Sequence, residues 1–469
     1  MSIEHSSDAH PKMPRWAKIA GLLFLAVLAF VVVPEMLFAG FYFLQDGRWV
    51  SVSDRLKGTQ NIYVGDFNTG GGSCRYIDML YPHPYLAFVF HNNSPCRQAK
   101  VDVVKGLKPA NTEGFLEDRD FPLERSQESY DILLLGGSVA QQLGQYAEGG
   151  PNFLESVLNR CFTPPHGTRF QVFNGASGAW KQPQQAITFL LYGRGFSGVV
   201  SVEGFNEISS LFLNPSERIE LPASTFVAVN PFAAQTYRSV ALAFLTNQML
   251  AWEQSTWVGS HSYMAYFVVD RLRMIFANMA RAHDQRTSVD TLFSLPETWS
   301  INDRIAFNTQ QYYWYINAIN EVARRNGIDF AVFMQPVPAI DRPLTTTEKA
   351  VVGNLSYGER YFQLTRDLME MAKEGQAHLY SLLSIFKDVH DPIYADWIHP
   401  DNHGGEVPAY RLMAWHIAHQ LASAWSFEQS GRCKNDVASA GLPGTYEKAL
   451  LSMDLSGSDV TINVDQHRH

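Results

Sequence analysis

The hydrophobic pattern divides the chain into stretches of different period. Residues 19–44 are almost continuously apolar, interrupted only by Pro34 and Glu35, and a helix of about 20 such residues crosses a bilayer. From residue 131 onward, short apolar runs of strand length recur at 131–135, 170–173, 198–202, 330–333 and 378–383. Stretches of helical period lie between them. Residues 151–161 open with Gly-Gly-Pro, a helix entry with proline in the first turn. Residues 312–326 place Ile316, Ile319 and Val322 at helical spacing and stop at Gly327. Residues 406–425 put Leu412, Trp415, Ile417 and Leu421 on one side of a core-facing helix. Such alternation predicts an α/β class fold: a three-layer α/β/α, doubly wound, flavodoxin-like parallel sheet of five strands.

Outside that alternation the pattern changes. Residues 45–130, with Tyr81-Pro-His-Pro-Tyr and Asn111-Thr-Glu-Gly-Phe115, are dense in aromatics and prolines, which predicts short strands and turns wrapping the core. Residues 212–300 form an insertion longer than one crossover requires, and 236–282 within it are largely helical in pattern. It reads as a lid or as a scaffold beside the sheet. Asp270, Arg271 and Arg273 exclude a second membrane span there, because charges at that density are costly in lipid. The domain expectation is therefore a tail over 1–18, an anchor over 19–44, a pre-core segment over 45–130 and a main domain over 131–425. Residues 426–469 form a tail that is polar and partly disordered at its end.

Composition narrows the classes. A net charge of −9 with no basic stripe argues against a nucleic-acid partner. The apolar stretch exceeds a signal core and lacks a small-x-small cleavage site, so it predicts an uncleaved single-pass transmembrane helix rather than a removed leader or a buried helix. Lys12, Arg15 and Lys18 precede it and Arg48, Arg55 and Lys57 follow it, so positive charge does not set its direction. The short tail before it and the large domain after it favour an extracytoplasmic, periplasmic-side domain. Four cysteines, Cys74, Cys96, Cys161 and Cys433, allow three pairings. Cys74 with Cys96 closes a local loop and Cys161 with Cys433 ties the tail to the core; inert thiols are the alternative. None has metal-ligand spacing, and no metal or cofactor is expected.

Four short blocks carry chemistry. The first apolar run breaks on Gly136-Gly137 and delivers Ser138 where a helix begins. Asn174-Gly-Ala-Ser-Gly178 follows the second run, Glu203-Gly-Phe-Asn206-Glu207 the third, and Asp396-Trp-Ile-His399 comes late in the chain. A serine hydroxyl needs an imidazole to take its proton, and the imidazole needs an acceptor on its other nitrogen. Asp396 and His399, three apart on one turn, can supply both; His403 is a rival base. Each block alone is a turn or a polar loop, and the order of all four makes the pattern.

These blocks together resemble the SGNH hydrolases, a branch of the GDSL-type esterases and lipases, over about residues 131–425. The resemblance implies Ser138 as nucleophile, His399 as base and Asp396 as its orienter. It also implies an oxyanion hole from the backbone N–H groups of Ser138 and Gly178 and the side chain of Asn206. Two positions depart from the family: Gly137 stands where Asp is usual in the serine block, and Glu207 where Asp is usual after the asparagine. The pre-core segment also looks like the lead-in of envelope SGNH proteins linked to polysaccharide clusters. The implied activity is that of a membrane-anchored serine esterase whose partner is an acyl-ester substrate, an O-acetyl group on an envelope or exported glycan. Transfer of the acyl group to a sugar, a lysophospholipase or thioesterase, and a non-catalytic part of a polysaccharide export complex are the alternatives.

Overall fold

The computed structural model describes residues 24–57 with Ile19 and Leu22, and then 80–90, 108–145, 151–208, 211–212, 215–221, 237–284, 294–340, 342–375, 377–400 and 408–430. The chain divides into two compact units, 1–63 with 234–288, and 64–233 with 289–469.

The second unit is built on five strands: β1 Ser129–Gly136, β2 Arg169–Asn174, β3 Gly198–Glu203, β4 Asp329–Met334 and β5 His378–Ser381. All pair in parallel, in the order β2-β1-β3-β4-β5. β1 and β3 are buried along their whole length, which is why they read as unbroken apolar runs and not as alternating ones. Six helices complete the layers: α1 Ser138–Gln145, α2 Phe153–Cys161, α3 Gln184–Tyr192, α4 Ile301–Arg325, α5 Gly358–Gly375 and α6 Pro408–Ala424. α1, α2 and α6 pack together, with α1 also against β1, β2 and β3 and α2 against β2, while α4 packs against α3, α5 and β4. The sheet order matters for chemistry. β1 lies between β2 and β3, so the loops leaving all three carboxyl ends meet at one topological switch point.

Several elements differ from the sequence expectation. Pro151 is not in the first helical turn; Asn152 is the N-cap of α2, its side chain accepting from Glu155 N at 3.0 Å and donating to Val172 O at 2.8 Å. α4 begins eleven residues earlier than 312, at a capping box formed by Ser300 and Asp303. α6 is buried nearly all round, through Tyr410, Met413, Ala414 and Ala418 as well as Leu412 and Leu421, so it is an interior helix and not a one-sided one. β5 stops at Ser381, after which Leu382 N turns back to Met334 O at 2.9 Å. The pre-core segment forms an antiparallel hairpin, Leu80–His83 with Ala87–Phe90, whose Leu86, Phe88 and Phe90 enter the core. Cys161, on α2, is disulfide-bonded. Cys74, Cys96 and Cys433, and so the rest of the pairing expectation, lie outside the described residues, as does His403.

The first unit is helical. Phe24–Asp46 is a single helix, apolar and exposed, and it is the one helix among the described residues long and apolar enough to cross a membrane. Pro34 has no N–H for the carbonyl four residues back and its ring crowds that carbonyl, and the helix relaxes into a π turn over Leu28–Val32 just before it. The helices of the insertion, Tyr237–Ser255, Trp257–His261 and Tyr263–Asp284, belong to this unit. They pack on one another and on Phe24–Asp46 around Tyr42, Val52, Leu56, Leu250 and Tyr266.

Candidate active site

Ser138 lies one residue, Gly137, beyond the end of β1 and is the first residue of α1, so its backbone N–H is one of the helix-terminal donors without an intrahelical acceptor. Gly136 makes the sharp exit possible: its φ is +139°, and a Cβ there would run into Val202 O and the Ala140 side chain.

His399 reaches Ser138 from the far end of the chain. Its Nε2 lies 2.7 Å from Ser138 Oγ and its Nδ1 2.8 Å from Asp396 Oδ2. The other carboxylate oxygen of Asp396 accepts from the backbone N–H of Ile398 at 2.8 Å and of His399 at 2.7 Å. Asp396 therefore folds its own loop and aims the imidazole at once. Burial pushes the Asp396 carboxyl up, but the hydrogen bonds it accepts from His399 and from the two backbone donors outweigh it and hold the pKa below the ordinary value. With Nδ1–H donated to Asp396, Nε2 is the free lone pair facing the hydroxyl, the tautomer a general base requires.

The loop carrying Asp396 is anchored by a residue that sequence reasoning passed over. Glu348 is fully buried and accepts from the backbone N–H of Ile393 at 2.8 Å and Tyr394 at 3.2 Å, and also pairs with Arg342. Burial raises its carboxyl, yet the donors of Ile393 and Thr345 and the Arg342 charge leave its pKa lowered. Its signal was present in the chain as Thr345-Thr-Thr-Glu348, a capping box.

The loops after β2 and β3 supply the remaining expected residues. Ser177 N donates to Gly136 O at 3.2 Å, and a turn from Ser177 to Trp180 contains Gly178. Its next residue, Ala179, holds φ at +64°, a left-handed conformation uncommon for a residue with a Cβ. Asn206 Nδ2 donates to Trp180 O at 2.7 Å, which pins the amide against the same loop. A Cβ at Gly137 would overlap Asn206 Nδ2 and approach Trp180 O to 3.2 Å. Gly137 is thus the position where the Asn206 amide closes on the serine turn. The structure brings Ser138, His399 and Asp396 into one hydrogen-bonded row, and sets the Asn206 amide beside the glycine preceding Ser138.

Glu207 ties the Asn206 loop in place. It is buried, and its carboxylate accepts from Gln182 N and Gly204 N, each at 3.0 Å, tying the Asn206 loop to the chain that follows Gly178. Burial raises its carboxyl against the pull of those donors and of Lys181. Glu203 is also buried, accepts from Gln182 Nε2 at 2.9 Å, and is pushed well above the ordinary carboxylate value by burial and by the Glu207 charge. Burial lowers Lys181 to about 8, and its ammonium donates to Ile219 O. Phe205 stacks edge-on with Tyr357 at 5.2 Å and with Trp397 at 5.1 Å, and Trp397, two residues before His399, is 53% exposed.

No family model and no curated protein sequence matches the chain. Solved structures similar to it include a GDSL-like lipase from Bacteroides thetaiotaomicron, at 9% identity, covering 63% of this chain and 89% of that one with a TM-score of 0.30. They also include an acetyl xylan esterase, at 10% identity over 63% of this chain and 98% of the other, with a TM-score of 0.29. A third is an acetyl-xylooligosaccharide esterase from Geobacillus, at 11% identity over 64% and 97%, with a TM-score of 0.31.

Proposed function

We propose that this chain is a serine esterase in which Ser138, His399 and Asp396 act as one catalytic unit. The observation that carries the reading is the imidazole of His399 held between Ser138 Oγ at 2.7 Å and Asp396 Oδ2 at 2.8 Å. Ser138 Oγ attacks the acyl carbon while His399 Nε2 takes its proton. The oxyanion so formed is received by the backbone N–H groups of Ser138 and Gly178 and the Asn206 amide, donors typically worth about 3 to 4 kcal/mol each. His399 then returns the proton to the leaving alcohol. Water, activated by the same imidazole, releases the acid from the acyl-serine and restores Ser138.

The substrate we favour is an O-acetyl group on an envelope or exported glycan. The exposed Trp397 indole beside the row offers an apolar face on which the C–H face of a sugar can lie. The length and apolar composition of helix Phe24–Asp46 support our reading of it as a membrane anchor, and an extracytoplasmic main domain is part of the same proposal. The test is a fluorophosphonate probe followed by an ester panel of acetylated sugars, short p-nitrophenyl esters and lysophospholipids on the full chain. Labelling at Ser138 with release of acetate from sugars supports the reading. Absence of labelling in folded protein overturns the esterase, and preference for lysophospholipids overturns the glycan.

A further inference from the structure

Helix Tyr263–Asp284 has two apolar faces. One, with Tyr263, Tyr266 and Phe267, turns inward onto Phe24–Asp46, where Phe267 stacks on Phe38 at 4.4 Å. The other is a stripe of Val268, Leu272, Ile275 and Met279, spaced i, i+4, i+7 and i+11, and these side chains are 49, 41, 52 and 39% exposed. A helix bathed in water carries polar residues on its outer face. On this one the exposed polar residues Arg271 and Asn278 flank the apolar stripe without replacing it, and we propose that the stripe lies in the lipid of the same bilayer that takes up Phe24–Asp46, as an interfacial helix beside a span.

Continuity with the apolar helix supports lipid as the occupant. Glu35, the carboxylate that interrupts the apolar stretch, accepts from Ser262 Oγ at 2.7 Å, Tyr263 N at 2.5 Å and Met264 N at 3.1 Å. It caps the start of the second helix and fixes it to the first. At 1.5 Å per residue the stripe begins about 8 Å from that junction and ends about 24 Å from it, so a bilayer around Phe24–Asp46 is already within reach. Asp270, Arg271 and Arg273 keep the helix from spanning; low net hydrophobicity with an apolar stripe is the pattern of a helix lying in the interface. Trp252 and Trp257, 41 and 74% exposed in the same unit, are the residue type that settles at the headgroup level.

This inference rests on the membrane reading of Phe24–Asp46, and the experiment separates the two. The full chain is reconstituted in phosphatidylcholine and phosphatidylglycerol vesicles with an apolar photoactivatable diazirine dissolved in the bilayer, and labelled residues are mapped by mass spectrometry. Label over both Phe24–Asp46 and the stripe at 268–279 is the expected result. Label over Phe24–Asp46 with none over the stripe overturns the inference and leaves the anchor standing. If the stripe is unlabelled and an Ile275→Cys variant crosslinks between copies, the occupant is a second copy and the inference also fails. No label over either segment overturns the anchor reading and this inference with it.

Discussion

Glu207 and Glu35 both accept backbone N–H groups, and the surroundings they serve differ. Glu207 is buried in the loop that leaves the carboxyl end of β3, and it ties that loop to the one that follows β2. Glu35 joins two helices whose shared core is limited to a few residues, while Phe244, Trp257, Leu272 and Ile275 face outward. The sheet unit closes its own core, and the polar groups inside it are held by neighbours that cannot move away. The helical unit leaves its apolar faces to be completed by whatever surrounds it. Substitutions in the first should therefore change turnover, and substitutions in the second should change association and local stability.

The largest expected effect sharpens the first half of that contrast. Ser138→Ala and His399→Ala should each lower kcat by about 10⁴ to 10⁶ with circular dichroism unchanged, since removing either leaves the nucleophile absent or unactivated. Full turnover in pure Ser138→Ala would remove the esterase reading. Next is Gly137→Asp. Its side chain has to displace the Asn206 amide, and kcat should fall about 10² to 10³, as for Asn206→Ala, with KM little changed. Unchanged kcat would show that the amide position does not matter.

Glu348→Ala leaves the buried Arg342 guanidinium and the Ile393 and Tyr394 N–H groups without their carboxylate. A loss of about 3 to 5 kcal/mol is expected in chemical denaturation, with turnover falling as the Asp396 loop loosens. Two buried carboxylates should also give opposite pH signatures. The Glu348 pKa is lowered, so its contribution is present above its ordinary value of 4.5 and is lost as pH falls through the folded value. The Glu203 pKa is raised, so the folded state holds a proton the unfolded chain releases, and stability declines as pH rises from 4.5 towards the folded value. Glu203→Gln should flatten that decline and add about 1 kcal/mol at neutral pH, read as melting temperature against pH. The smallest effect belongs to the helical unit. Glu35→Ala should weaken the Tyr263–Asp284 helix by about 1 kcal/mol in hydrogen exchange while hydrolysis of a soluble ester stays at the parent rate. A fall in turnover like that of Gly137→Asp would break the contrast between the units.

Strand positions, the serine at the end of the first strand and the spacing of Asp396 to His399 were legible in the chain because each is a local property: an apolar run, a glycine break, a single turn. The five-stranded sheet followed from their alternation. The starts of α2 and α4 were misplaced although their caps, Asn152 and Ser300 with Asp303, stand in the sequence, because a cap shows only once the chain around it is known to turn. Glu348 was passed over, and Glu207 was noticed without its role, for a different reason. Each binds backbone N–H groups up to 46 and 25 residues away, and nothing in the order of residues marks such partners.

Residue order alone determined which side chains could do nucleophilic chemistry and that residues 19–44 are apolar almost throughout, since both depend on what a group is. Tertiary structure alone decided that a side chain at Gly137 meets the Asn206 amide, because the two come together only in the folded chain. It also decided that the insertion's helices join the apolar N-terminal helix, because Glu35 meets their backbone N–H groups only when segments more than two hundred residues apart come together. Packing is set by distances in space, and a linear pattern of apolar residues specifies that a face will be covered without specifying by what.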